Sequence, residues 1–171
     1  MVKSKIKLSF SKKFIIGVLL PIIVFALVAL ILDRIIKEIV LFYFILSPST
    51  VVVTSFFSLE LIYNYGVSFS FLSGINSNII MLLSFFALLL LVALFYKMFN
   101  FNKFSIKLAV GCIIGASIGN IYDRVAFGGV IDFLYFHYEN YSFPVFNSAD
   151  VLITFSAIIL LINLLLEKKK A

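Results

Sequence analysis

Four long apolar runs constrain this chain more than any other feature of its sequence. They cover residues 14–32, 79–96, 104–122 and 151–166, close to the roughly 17 to 25 residues that a helix needs to cross a bilayer. Inside a bilayer every backbone polar group needs a partner within the protein, and a helix provides those partners within one segment. The runs therefore predict four membrane-spanning helices.

The composition supports an integral membrane protein. Of 171 residues, 63% are hydrophobic and 13% are charged, whereas soluble domains carry about 25% charged residues. We interpret residues 1–171 as a single membrane domain. The net charge is +6, but the cations form no stripe or patch of the kind that binds nucleic acid. Cys112 is the only cysteine, which excludes an internal disulfide and a cysteine-based metal site.

The positions of lysine and arginine predict the orientation. They gather in the N-terminal tail, between the second and third runs, and in the C-terminal tail, which the positive-inside rule assigns to the cytoplasm. Both termini are then inside, and residues 33–78 and 123–150 are outside. Seven of the eight acidic residues lie in these two outer segments, so any chemistry is expected there. The first run exceeds the about 7–15 apolar residues of a signal peptide, so we expect an uncleaved helix.

The first outer segment contains an alternating pattern. From Ser58 to Phe71, apolar and polar residues alternate except at Ile62, which predicts a strand, or two short strands with a bend at Gly66. The apolar face is rich in aromatic residues and suits a membrane interface. A surface hairpin that caps the helices would explain the same alternation.

The third run carries small residues at helical spacing. Gly111, Gly115 and Gly119 form two overlapping GxxxG steps on one helix face. Such steps let two helices approach closely in lipid. We therefore expect this face to pack against another helix.

Two aspartates in the second outer segment suggest chemistry. Asp132 lies between apolar stretches without an adjacent cation, where a carboxylate is costly unless it is paired, solvated or protonated. Asp150 opens the last helix, where the dipole also favours an acid for structural reasons alone. If the two meet, one can keep a proton while the other acts as a base on water, as in aspartic proteolysis. Asp123, by contrast, has Arg124 beside it as a plausible salt-bridge partner.

Other readings of the sequence remain. "GASIG" (Gly115–Gly119) matches a G-x-S-x-G nucleophile pattern around Ser117, and His137 follows, but that pattern requires a strand-to-helix turn rather than a membrane helix. One histidine and scattered carboxylates form no metal-ligand pattern. A small transporter subunit would carry ionisable groups deep in its helices. A non-enzymatic membrane scaffold would also explain the glycine face.

Four stretches together resemble a known family. They are "DRIIK" (residues 33–37), "NYGVSFSFL" (64–72), "GASIGNIYDRVAFGGVIDF" (115–133) and "FPVFNSAD" (143–150). In order and spacing they resemble the motifs of lipoprotein signal peptidase, or signal peptidase II. The resemblance implies an all-α membrane fold with a small β element: four transmembrane helices and an extracytoplasmic β-cradle.

The resemblance also implies an activity and its residues. The family consists of bacterial aspartic endopeptidases that cut diacylglyceryl-modified prolipoproteins before the lipidated cysteine. The catalytic pair would be Asp132 and Asp150. Supporting residues would be Asp33, Lys37, Asn64, Gly66, Asn120, Asp123, Arg124 and Asn147. No metal or organic cofactor is implied, and we expect a monomer in the cytoplasmic membrane whose partners are its substrates and membrane lipids.

The chain departs from the family pattern at three positions. Arg34 stands where the family usually has glutamine, and Val67 and Ser68 stand where it favours alanines. These departures affect expectations about substrate contacts near Arg34 and Ser68. Asp123 also belongs to the family pattern, so it is the alternative partner in the pair. We prefer Asp132, because Arg124 is expected to hold Asp123 ionised.

Overall fold

The computed structural model describes residues 14–66, 77–98 and 103–168. A π-helical turn, Ile15–Leu19, leads into helix α1, Leu20–Leu46, and the other helices are α2 (Ser77–Met98), α3 (Phe104–Phe127) and α4 (Ser148–Lys168). The strands are β1 (Val51–Thr54), β2 (Phe57–Asn64), β3 (Val130–Tyr138) and β4 (Tyr141–Ser142). The fold is thus mainly helical with one small sheet.

Three helical segments of the described residues are long and apolar enough to cross a membrane. They are Ile15–Leu46, Phe104–Phe127 and Ser148–Leu166. The second predicted span falls on α2, in which the described apolar segment Leu82–Val92 is shorter. A membrane protein is therefore confirmed, and the fourth span stays a prediction.

The predicted end of the first helix was wrong. We expected the helix to end at Leu32, but α1 continues to Leu46. It can continue because Asp33 and Lys37 lie one turn apart on the same face and are fully buried against the rest of the protein. The helix ends at Ser47, which leaves the helical region before Pro48, as expected for a residue that precedes proline.

The third and fourth helices are also longer than predicted. Helix α3 runs on to Phe127 and is closed by Gly128 in the left-handed conformation, whose N–H donates to the carbonyl of Arg124 at 3.1 Å. This is a common helix ending that glycine adopts without steric cost. Helix α4 begins at Ser148, earlier than the predicted Val151. Asp123 and Asp150 are therefore helical residues.

The glycine face packs α3 against α1, as predicted. A side chain on Gly111 would come within 2.7 Å of the Ile22 carbonyl oxygen, and one on Gly115 would overlap the Ala26 carbonyl. One turn further along, a side chain on Gly119 would overlap the carboxylate of Asp33. The glycines thus allow both the close helix contact and the burial of Asp33.

The strands form one antiparallel sheet in the order β1-β2-β3-β4. Strand β2 places Ile62 opposite Asp132 of β3. The amides of Phe133 and Leu134 both donate to the Phe146 carbonyl, at 3.0 and 2.8 Å. The sheet therefore joins β3 to the segment that enters α4, which brings Asp132 close to the start of that helix.

The alternating pattern predicted a strand that the structure confirms in part. Strand β2 covers Phe57–Asn64, and Gly66 lies just beyond its end. Residues 67–71 of the predicted strand, with Val67 and Ser68, lie outside the described residues.

We predict that the contact between α1 and α3 tolerates no added side chain. Gly115→Ala should lower the Tm in detergent by about 3–10 °C, because overpacking costs about 1–3 kcal/mol. Gly17→Ala is the matched control, since nothing lies within 4 Å of a side chain added there. Circular dichroism melting compares the two, and equal Tm values would contradict the packing role.

Candidate active site

Asp132 lies on β3 with only 2% of its surface exposed. One carboxyl oxygen accepts from the side-chain amide of Asn64 at 2.9 Å and the other from the side-chain amide of Asn147 at 2.6 Å. The two donors come from β2 and from the residue before α4. The carboxyl group is thus held from two sides and removed from bulk solvent.

Asp150 lies in the first turn of α4 and forms a reciprocal cap with Asn147. The Asp150 N–H donates to Oδ1 of Asn147 at 3.1 Å, and the Asn147 N–H donates to Oδ2 of Asp150 at 3.2 Å. This is a capping box in which aspartate takes the usual place of glutamate. The other oxygen, Oδ1, accepts from the amide of Asn120 at 3.2 Å. Asn147 therefore contacts both Asp132 and Asp150.

Lys37 determines which way the Asn120 amide points. The Lys37 ammonium is fully buried and contacts Asn120 Oδ1 at 2.8 Å, Asp33 Oδ2 at 2.9 Å and Asp123 Oδ2 at 2.7 Å. An ammonium group only donates, so it requires the oxygen of the Asn120 amide. The NH₂ group of Asn120 consequently faces Asp150.

The expected pairing of Asp123 with Arg124 was wrong. Asp123 is fully buried and forms ion pairs with Arg34 and Lys37 of α1, and it also accepts the Ile131 N–H at 3.3 Å. Adjacent residues of a helix point in different directions, so Arg124 faces elsewhere. Asp123 is an ionic contact between α1 and α3.

Arg34 has a role that the sequence did not reveal. Besides Asp123, its guanidinium contacts Glu38 at 2.6 Å and lies 4.7 Å from the centre of the Tyr122 ring. The sequence does contain a signal for the ion pair with Glu38, because Arg34 and Glu38 are four positions apart, or about one helical turn. The contact with Asp123, however, depends on the packing of α1 against α3.

Asp33 connects α1 to the start of α4. Its Oδ1 accepts from the hydroxyl of Ser148 at 2.6 Å, and its Oδ2 lies 2.9 Å from the Lys37 ammonium. Ser148 is the first residue of α4, so this bond positions the turn that carries Asp150. Sequence reasoning missed Ser148, although it lies between Asn147 and Asp150 in the "NSAD" segment.

Arg124 and Gly66 contact each other. The guanidinium of Arg124 donates to the Gly66 carbonyl at 2.9 Å and to the Asn120 carbonyl at 3.2 Å. The Gly66 N–H donates to Oδ1 of Asn64 at 3.0 Å. Arg124 therefore holds the turn after β2, which in turn orients the Asn64 amide toward Asp132.

These residues surround a cavity of about 560 Å³. Asp132 and Asp150 both line it, together with Asn64, Asn120 and Arg124. Asp123 does not belong to this lining, because its carboxylate is turned toward α1. Asp132 and Asp150 therefore share this cavity, whereas Asp123 does not line it.

Burial raises the pKa of Asp132 to about 6. The amide groups of Asn64 and Asn147 oppose this rise because they donate to the ionised form, and the nearby Lys37 opposes it as well. The negative charge of Asp150 adds to the rise in the pKa. Asp132 thus exchanges its proton at a pH closer to neutral than an ordinary aspartate does.

The serine hydrolase reading has no support in the structure. Ser117 lies within helix α3 rather than at a strand-to-helix turn. His137 lies on β3, where its Nε2 is 2.9 Å from the hydroxyl of the buried Ser58 and its ring packs on Tyr135. His137 is therefore a structural residue of the sheet.

The supporting residues predicted from sequence converge around the cavity or behind it. Asn64, Asn120 and Asn147 donate to the two aspartates, whereas Asp33, Lys37 and Asp123 form the ionic cluster behind Asn120. Within the described residues, no three His, Cys, Asp or Glu side chains converge on a point that could hold a metal ion. The arrangement provides two carboxyl groups with fixed amide donors.

The sequence matches one protein family and its named members. The family model for Signal peptidase (SPase) II matches residues 25–166. The lipoprotein signal peptidase of Sinorhizobium fredii (strain NBRC 101917 / NGR234) is 38% identical over 151 residues, which cover 88% of this chain and 90% of that protein. The lipoprotein signal peptidase of Francisella tularensis subsp. novicida (strain U112) is 41% identical over 129 residues, covering 71% and 78%.

Two solved structures have the same fold. One, described as a bacterial membrane enzyme solved by the in meso method at 2.3 Å resolution, gives a TM-score of 0.69 at 28% identity and covers 87% of this chain and 90% of that chain. The other, solved by the same method at 1.9 Å, gives 0.60 at 26% identity and covers 84% and 92%. The agreement extends over most of each chain. The chain therefore belongs to the signal peptidase II family.

Proposed function

We propose that this protein is a membrane aspartic endopeptidase that removes signal peptides from diacylglyceryl-modified prolipoproteins, cutting just before the lipidated cysteine. The observation that carries the proposal is the pair Asp132 and Asp150, which line one cavity and are joined through Asn147. Relatives that share most of the chain are lipoprotein signal peptidases. A scaffold or a transporter subunit would not require two carboxyl groups held in this way.

The pair supports hydrolysis by general acid and base catalysis. Asp150 accepts a proton from a water molecule, whose oxygen bonds to the scissile carbonyl carbon while Asp132 gives its proton to the carbonyl oxygen. The C–N bond then breaks as the nitrogen takes the proton from Asp150. The hydroxyl group of the intermediate returns a proton to Asp132. One water is consumed, and both aspartates end in their starting states.

The remaining polar residues have positioning roles in this proposal. Lys37 orients Asn120, and Asn147 fixes the distance between the two aspartates through its backbone and side-chain bonds. Asp33 anchors the start of α4 through Ser148. Gly66 and Arg124 hold the turn beside Asn64.

The proposal includes four spans and an outward-facing site. Helix α2 would be the fourth span, supported by its apolar segment Leu82–Val92. Both termini would be cytoplasmic, as the basic residues of the sequence predict. The sheet would then form a cradle at the outer surface of the bacterial cytoplasmic membrane. The protein would work as a monomer among membrane lipids, at the depth where a lipid-modified substrate diffuses.

We expect the wild-type protein to cleave a lipidated substrate peptide and both aspartate variants to lose nearly all of this activity. Purified protein in detergent is incubated with a diacylglyceryl-modified lipobox peptide, and mass spectrometry locates the cut. Asp132→Asn and Asp150→Asn should each lose about 10²- to 10⁴-fold in kcat, because each removes a proton-transfer group. Glu60→Gln is the matched control, an acid of β2 outside the cavity lining. If a folded Asp132→Asn protein still cleaves the peptide and a folded Asp123→Asn protein does not, Asp123 rather than Asp132 is the partner of Asp150.

The pKa of Asp132 predicts the pH dependence. The pair needs one proton, and Asp132 loses its proton as the pH rises through about 6, so kcat/KM should fall above that pH. Asn64→Leu removes a donor that favours the ionised form, so the pKa of Asp132 should rise and the alkaline limb should move to higher pH. The profile of kcat/KM reports the free enzyme. A limb that stays at the same pH in the variant would contradict the assignment.

We also expect Lys37 to be needed for both stability and activity. Lys37→Met leaves Asp33 without its cation in a fully buried place, which costs about 3–5 kcal/mol, and frees the Asn120 amide to rotate away from Asp150. Lys107→Met is the matched control, since Lys107 is accessible and bonds only to the Gly17 carbonyl among the described residues. Tm and cleavage are measured together. The double variant Lys37→Met/Asp33→Asn removes the excess charge and should recover part of the Tm but not the activity.

A further inference from the structure

The cavity extends from the aspartate pair along the helices. Helix α2 lines it with residues spaced as one helix face: Ser84, Ala87, Leu88 and Leu91. Helix α3 lines it with the same spacing: Ser117, Asn120, Ile121 and Arg124. Over these seven positions each helix rises by about 10 Å. The cavity is therefore a groove that runs parallel to the spans and passes the aspartates at one end.

Two residues with hydroxyl groups, Ser117 and Thr154, line this groove one turn away from the pair. Ser117 precedes Asn120 by three positions on α3, and Thr154 follows Asp150 by four positions on α4. Both residues line the cavity. Because α3 runs toward the pair and α4 runs away from it, both lie on the same side, about 5 Å further along the helix axes.

Both hydroxyl groups are available to a ligand. Thr154 is exposed and Ser117 is half-buried, and in residues 14–66, 77–98 and 103–168 neither hydroxyl has a hydrogen-bond partner. Two other serine hydroxyls of the helices have partners: Ser148 donates to Asp33, and Ser105 donates to Asn163 at 3.3 Å. Ser117 and Thr154 are thus free donors in an otherwise apolar part of the groove, beside Leu88, Leu91 and Phe155.

The proposed substrate needs hydrogen-bond donors at this position, an argument that rests on the proposed function. A signal peptide that reaches the site from the bilayer as a helix must end that helix before the scissile bond, because the catalytic pair needs access to an extended peptide carbonyl. The last four carbonyl groups of a helix have no partner within it. No water is available in the hydrocarbon region to replace those partners. These carbonyls therefore need donors from the enzyme.

We propose that Ser117 and Thr154 form a subsite that donates hydrogen bonds to the terminal carbonyl groups of the signal-peptide helix, on the membrane side of the scissile bond. The subsite recognises the peptide backbone rather than a particular side chain. It would hold the end of the substrate helix one turn below Asp132 and Asp150, so that the next residues pass the pair in extended form.

Removing the hydroxyls tests the subsite. Ser117→Ala and Thr154→Val should each raise KM for the diacylglyceryl-modified peptide by about 3- to 10-fold, the effect of one hydrogen bond, with kcat changed less than about twofold. Ser156→Ala is the matched control, a hydroxyl of α4 that is buried away from the cavity near Cys112. The Tm of each variant in detergent shows whether it is folded. If a variant is unfolded, the milder substitution Ser117→Cys or Thr154→Ser is used at that position. Ser117→Cys should raise KM because a thiol is a weak donor, whereas Thr154→Ser keeps the hydroxyl and should leave KM unchanged.

Substrate analogues identify the partner of each hydroxyl. Peptides are made in which one amide among the last residues before the scissile bond is replaced by an ester, whose carbonyl is a weaker acceptor. If Ser117 or Thr154 donates to that carbonyl, the ester and the enzyme variant should have less than additive effects on KM. Additive effects at every position, or unchanged KM in folded variants, would overturn the subsite while the proposed function stands. A wild-type protein that never cleaves the lipidated peptide would instead overturn the proposed function.

Discussion

The site depends on one buried ammonium group, that of Lys37. A charge removed from water is costly unless it is paired and its hydrogen-bonding capacity is used. Lys37 has three donors, and three oxygens surround it, from Asp33 on its own helix and from Asp123 and Asn120 on α3. The contact therefore joins two helices through one buried charge. It is possible only because Gly119 lets the Asp33 carboxylate approach α3.

Two side-chain amides, those of Asn120 and Asn147, present their NH₂ groups to the aspartates. Lys37 accepts nothing, so Asn120 presents its oxygen to Lys37 and its NH₂ group to Asp150. Asn147 is oriented from the opposite end, since its oxygen caps the Asp150 N–H and its NH₂ group is left for Asp132. Both carboxyl groups are thus surrounded by donors from fixed directions. Both aspartates also line the cavity.

The sequence predicted those features that depend on local patterns. The apolar runs indicated the helices, and the spacing of Gly111, Gly115 and Gly119 indicated a close helix contact, because both patterns are properties of one segment. The end of α1 could not be predicted in this way. Charges at Asp33 and Lys37 look like a membrane boundary until partners more than 80 positions away on α3 bury them.

The pairing of Asp123 failed for the same reason. Arg124 is its neighbour in sequence, but consecutive helix residues diverge, and the cations that reach Asp123 come from α1. The site residues were named chiefly through the resemblance to the signal peptidase II family, and the pair Asp132 and Asp150 stays a prediction. What the structure adds is their shared cavity and the shared contact with Asn147.

Arg34 departs from the family pattern, and it balances the charge of the buried cluster around Lys37. With Lys37 alone, the buried carboxylates of Asp33 and Asp123 would leave one negative charge behind the pair Asp132 and Asp150. Arg34 supplies the second cation, and it contacts the oxygen of Asp123 that Lys37 does not. The four charges then sum to zero, while Glu38 stays largely in solvent. The pKa of Asp132 is governed mainly by its own burial and its amide donors, and Asp150 and Lys37 act on it in opposite directions.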